Sequence, residues 1–111
     1  MNIMIVDDEK DIGFILNFEL QNLGHQTSVF SSAKEACEYL KTETPDAIVC
    51  DFQMPIMNGI ELFKWLKAQN RNIPFYILTG ELNMDVNELH KCGITNILYK
   101  PHDLLKLAEI F

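Results

Sequence analysis

Short strand-like runs recur five times along this chain, and segments with apolar residues at helical spacing separate them. Residues 2–7 (NIMIVD), 25–30 (HQTSVF), 47–51 (AIVCD), 74–79 (PFYILT) and 95–99 (TNILY) read as strands. The first helix is expected over residues 9–23, with Ile12, Ile15, Leu16, Leu20 and Leu23 on one face and Gly24 as its stop. Ser32 followed by Glu35 signals a capping box opening a helix through Leu40, and Pro45 falls in the exit loop. Gly59 to Gln69 gives a third helix with Ile60, Phe63 and Leu66 inward, and residues 84–92 a short one ended by Gly93. A last helix follows Pro101, with Leu104, Leu105 and Leu107 inside. Strands that alternate with helices across short links require right-handed βαβ units, so a parallel sheet covered on both faces is expected. The fold class is α/β, a doubly wound three-layer sandwich of five strands and five helices.

At 111 residues the chain has the size of one domain, and no linker or low-complexity tract divides residues 1–111. Its apolar fraction, 48%, excludes a disordered chain. No apolar run approaches the roughly 20 residues of a membrane-spanning helix. The opening MNIMIVDDEK turns acidic where a signal peptide stays apolar. Nine basic residues stand against 16 acidic ones, a net charge of −7. Residues 1–60 hold 10 acids and 3 bases, and residues 61–111 hold 6 of each, so the imbalance is confined to the first part. Such a domain repels phosphate backbones and anionic membranes, which argues against nucleic-acid or membrane partners and suits a divalent cation. Cys37, Cys50 and Cys92 form no CxxC pair, which argues for free thiols in a reducing cytoplasm.

In a doubly wound sheet, ligands gather beyond the carboxyl ends of the strands. Those ends carry Asp7 and Asp8, Asp51, Thr79, and Lys100 followed by Pro101. Taken singly, the two N-terminal acids read as a helix cap, Thr79 as a strand end and Lys100 as an exposed cation. Together they bring three carboxylates, a hydroxyl and an ammonium to one edge of the sheet.

The acid pair Asp7-Asp8, the stretch DFQMPIMNG from Asp51 to Gly59, Thr79 and the Lys100-Pro101 pair, in this order and each at a strand end, resemble the response-regulator receiver domain. The resemblance implies the strand order 2-1-3-4-5. It implies that Asp8 and Asp51 ligate Mg²⁺ (with Mn²⁺ as a substitute), that Asp7 assists through water, and that the Gln53 backbone carbonyl adds a ligand. It also makes Asp51 the acceptor of a phosphoryl group from a histidine kinase or phosphotransfer protein, with Lys100 neutralising charge and Thr79 responding to the new anion. The peptide before Pro101 is expected to be cis. A signalling domain in the cytoplasm, catalysing only its own phosphorylation and dephosphorylation, is the function implied. Its output partner is unspecified.

Some positions depart from the family pattern. Ile97 stands where an aromatic side chain normally couples to the threonine, and Tyr99 shares that face only if the strand runs straight to its end. Gly80 replaces a common alanine, the span from Thr79 to Gly93 is about one residue short, and the last helix is short at Phe111. Gln53 and Glu81 hold positions that in the family flank the path of attacking water. On the first helix Phe14 and Phe18 lie roughly opposite the buried stripe, with Glu19 inside it. They mark either a partner surface or a slightly rotated helix that half-buries both rings. Two other functions compete: a receiver-shaped binding module acting without phosphorylation, and an aspartate-nucleophile phosphatase. The latter typically carries D-x-D-x-T, whereas Gln53 stands two residues after Asp51.

Overall fold

The computed structural model describes every residue except Leu82, Pro101, His102, Leu104 and Leu105, and the backbone alone of Leu107 and Ala108. The strands are β1 (Asn2–Val6), β2 (Gln26–Phe30), β3 (Ala47–Asp51), β4 (Phe75–Thr79) and β5 (Asn96–Tyr99). They alternate with α1 (Lys10–Asn22), α2 (Ala33–Leu40), α3 (Gly59–Ala68), α4 (Val86–Cys92) and α5 (Leu107–Ile110). All neighbouring strands pair in parallel, in the order β2-β1-β3-β4-β5. No helix among the described residues is long and apolar enough to cross a membrane.

The strand period of two sorts the sheet's side chains into two cores. Met4, Val6, Ile48, Cys50 and Ile77 pack with α2, α3 and α4 on one face. Ile3, Ile5, Val49, Leu78 and Leu98 pack with Leu16 and Leu20 of α1 on the other. β3, at the centre, is buried along its whole length, which explains why its sequence is a continuous apolar run closed by one acid. Phe111 closes the second face, its ring 5.1 Å from that of Tyr76.

Local signals fix the helix starts. Ser32 Oγ accepts from the Glu35 N–H at 3.2 Å, and at α3 Asn58 and Glu61 form the reciprocal box, which the sequence reading did not single out. The inward stripe of α1 is narrower than its spacing suggests. Leu16 and Leu20 are buried with Gly13, whereas Ile15, Leu23 and Glu19 are exposed. Gly13 lets the helix sit close to β2, since a Cβ there would meet Val29 Cγ1 at 3.3 Å. On α3 the spacing missed Leu62, which is buried with Phe63 and Leu66 while Ile60 is half-buried. Of the expected last helix the described residues show α5 at Leu107–Ile110, and Leu104 and Leu105 lie outside them.

Candidate phosphoryl-acceptor site

β1 and β3 are adjacent in register, Val6 opposite Cys50, so the residues that follow each pairing meet at the sheet's carboxyl edge. Asp7, Asp8 and Asp51 each present a carboxylate oxygen within 4.8 Å of the others. Asp7 and Asp51 are only 2% and 4% exposed, and Asp8 is open to solvent. The site opens on a cleft of about 760 Å³ whose lining includes Asp8, Asp51, Gln53, Thr79, Glu81 and Lys100.

Lys100 reaches this cluster from the end of β5. Its Nζ lies 3.2 Å from Asp7 Oδ2, 3.3 Å from Asp51 Oδ1 and 3.2 Å from Glu9 Oε1. The backbone holds it there, because the Lys100 N–H donates to the Thr79 carbonyl at 2.7 Å. One ammonium does not offset the acids. Burial and then the Asp7 charge push the Asp51 carboxyl up to about 7, against the pull of Lys100. Burial also raises Asp7, against the Glu9 N–H bond and Lys100. Burial lowers Lys100, but the charges of Asp7 and Asp51 together outweigh it and raise the ammonium's pKa. Asp7 Oδ2 is buried and ion-paired, yet no hydrogen bond satisfies it among the described residues. An oxygen donor set with excess negative charge and an underused buried atom fits a hard divalent cation.

The loop after β3 wraps closely around Asp51. A Cβ on Gly59 would lie 2.8 Å from the Asp51 carbonyl oxygen and 2.6 Å from Ile77 Cδ1. Only glycine lets the start of α3 come this near. In the same loop Ile56 has φ 72° and is fully exposed, a left-handed conformation costly for a β-branched residue.

Thr79, 1% exposed, accepts the Glu81 N–H on Oγ1 at 3.0 Å. Gln53 Nε2 donates to Glu81 Oε1, joining the loops after β3 and β4 across the cleft. Ile97 pairs with Ile77 and packs into the first core, while Tyr99 is the register partner of Thr79. β5 therefore does run to Tyr99, and the aromatic ring on the threonine's face of the sheet is two residues beyond the usual position. Phe14 and Phe18 lie outside the cleft lining, on α1, 69% and 55% exposed. Pro101 lies outside the described residues, and with it the expected cis peptide.

Sequence reading missed Glu9. It directly follows the acid pair, so its type was visible, but its contact with Lys100 joins residues 91 apart and exists only in three dimensions.

A family model described as response regulator receiver domain matches residues 3–111. The chain is 35% identical over 109 residues to sporulation initiation phosphotransferase F of Bacillus subtilis, covering 96% of this chain and 87% of that protein. It is 32% identical over 110 residues to the Regulator of RpoS of Escherichia coli, covering 97% of this chain but spanning only 33% of that protein. The receiver domain of the Francisella response regulator 1452 superposes with TM-score 0.84 at 32% identity, covering 98% of this chain and 93% of that one. Vibrio cholerae chemotaxis protein CheY4 superposes with TM-score 0.89 at 26% identity, over 98% and 93% of the two chains. The sheet order, the strand-end residues and these matches together mean that the chain belongs to the response regulator receiver domains of two-component signalling.

Proposed function

We propose that this domain takes a phosphoryl group on Asp51 from the phosphohistidine of a sensor histidine kinase or phosphotransfer protein, and that the modification changes a protein-interaction surface. The observation that carries the reading is the convergence of Asp7, Asp8, Asp51 and Lys100 at the mouth of one cleft. Asp8, Asp51 and the Gln53 carbonyl would hold Mg²⁺ directly, with Mn²⁺ as a substitute, and Asp7 would support it through water. Bound there, the cation supplies positive charge to the transferring oxygens.

The chain's own groups account for the rest. An Asp51 oxygen attacks phosphorus, the O–P bond forms as the P–N bond breaks, and the electron pair stays on the donor imidazole. Lys100, already 3.3 Å from Asp51, meets the negative charge that accumulates on the phosphoryl oxygens. Thr79 accepts the Glu81 N–H but keeps its own hydroxyl proton, which it can give to a phosphoryl oxygen by turning into the cleft. That turn breaks the Glu81 bond and loosens the loop after β4. Tyr99 stands beside Thr79 to respond to it. Gln53 and Glu81, linked across the entrance, set water's access to the phosphoryl group. Phe14 and Phe18 form an exposed apolar surface on α1 for the kinase or phosphotransfer partner. The setting of this exchange is the cytoplasm, and the output partner receives a changed surface, not a chemical product.

Intact mass after incubation with Mg²⁺ and acetyl phosphate tests the reading. One phosphoryl group is expected, and none without Mg²⁺ or in Asp51→Ala. No gain on the folded protein, with a cognate kinase also failing, would favour a binding module that acts without phosphorylation.

A further inference from the structure

Glu9 occupies the N-cap position of α1, where a side-chain oxygen normally accepts a free N–H of the first turn. It makes no such bond. Its carboxylate instead turns across the cleft mouth to Lys100, with Oε1 3.2 Å from Nζ. An ammonium has three N–H donors. Lys100 has three carboxylates around it at 3.2, 3.2 and 3.3 Å: Asp7, Glu9 and Asp51. The contact to Glu9 has hydrogen-bond geometry, whereas those to Asp7 and Asp51 are ion pairs.

A phosphoryl oxygen on Asp51 that engages Lys100 competes with these partners for its ammonium. Asp51 gives up its carboxylate charge in forming the acyl phosphate, and releasing the buried Asp7 would strand a charge away from water, whereas the Glu9 side chain is 61% exposed and is rehydrated at once. We propose that Glu9 is a positioning residue that occupies a donor of Lys100 in the resting domain and gives it up to the incoming phosphoryl group. This rests on the phosphoryl-acceptor reading above. Glu9 thereby does two opposite things to the cleft. Its negative charge opposes the arrival of an anionic phosphoryl group. By tying down Lys100 and adding an acid, it favours a cation beside Asp7, Asp8 and Asp51. The α1 terminus gives up a cap to place this side chain, which a purely structural N-cap would not require.

Glu9→Gln keeps the reach and removes the charge, and Glu9→Ser removes the reach and restores a capping hydroxyl. At saturating Mg²⁺ and low salt, both variants should take the phosphoryl group from acetyl phosphate about threefold to tenfold faster than the parent, with the gain shrinking as salt is raised. Mg²⁺ affinity, followed by amide shifts with no phosphodonor present, should fall about threefold in both. Glu9→Ser should also unfold about 4 °C higher, which separates the cap from the charge. Equal or slower phosphorylation in Glu9→Gln, or unchanged Mg²⁺ affinity, would overturn the role of Glu9. If the parent takes no phosphoryl group at all, the function proposed above falls, and the Mg²⁺ comparison still decides whether Glu9 governs the charge of the cleft.

Discussion

Asp51 has to be a buried carboxylate and a charged one, and these demands conflict. Burial and Asp7 push its carboxyl up to about 7 from 3.8. A carboxyl raised in the folded state binds more protons there than in the unfolded chain, so metal-free stability should fall as pH rises from about 4 to about 7. Asp7 is raised as well and acts in the same direction. At pH 8, Asp51→Asn should therefore stabilise the metal-free domain by about 2–4 kcal/mol, and the gain should vanish near pH 4. Urea unfolding across pH measures both, and a gain independent of pH would contradict the charge account. Ile56 carries a different strain, with its positive φ and full exposure. Ile56→Gly should stabilise the domain by about 1 kcal/mol, read as a higher urea midpoint with the slope unchanged. The sequence shows Ile56 only as the variable position of a motif. Its left-handed backbone comes from the tight path of the loop around Asp51.

The elements explain why that loop has its residues. Gly59 in the stretch from Asp51 to Gly59 is a packing requirement, since its missing Cβ leaves room for the Asp51 carbonyl and Ile77. Gly59→Ala should destabilise the domain by about 1–3 kcal/mol and slow any chemistry at Asp51, because β3 and α3 must separate. Thermal unfolding together with the phosphorylation rate reports both effects. α1 was legible as a helix, but its exact face was not. Spacing placed Ile15 and Leu23 inward, yet Gly13 draws the helix toward Val29 and leaves both exposed. Phe14 and Phe18 are exposed on this helix, so Phe14→Ala with Phe18→Ala should change stability by less than about 1 kcal/mol. The same pair should slow transfer from a kinase or phosphotransfer protein at least about tenfold. A loss of stability with the transfer rate unchanged would make these rings structural.

At the scale of the molecule, parallel pairing was readable from the alternation of strands and helices, and the strand-end acids from the apolar runs that Asp7 and Asp51 close, whereas the strand order came from the family resemblance. What was not readable depends on contacts between distant segments. The Glu9–Lys100 pair, the Gln53–Glu81 link and the Asn58–Glu61 box each need the folded geometry or a finer local reading than spacing gives. The excess of carboxylates at the sheet edge should make the whole domain responsive to cations. Mg²⁺ at a hundred times its dissociation constant should add about 2.7 kcal/mol to unfolding, a gain lost in the double variant Asp8→Ala with Asp51→Ala. A rise of equal size in that variant would place the cation elsewhere.

The central claim is that Asp51, and neither Asp7 nor Asp8, carries the phosphoryl group. Borohydride cleaves an acyl phosphate and reduces the carboxyl carbon to an alcohol, so a phosphorylated aspartate becomes homoserine. After treatment with acetyl phosphate and Mg²⁺, reduction and peptide sequencing by mass spectrometry should find homoserine at position 51 alone. Homoserine at position 7 or 8, or at no position in a folded and Mg²⁺-loaded domain, would contradict the account.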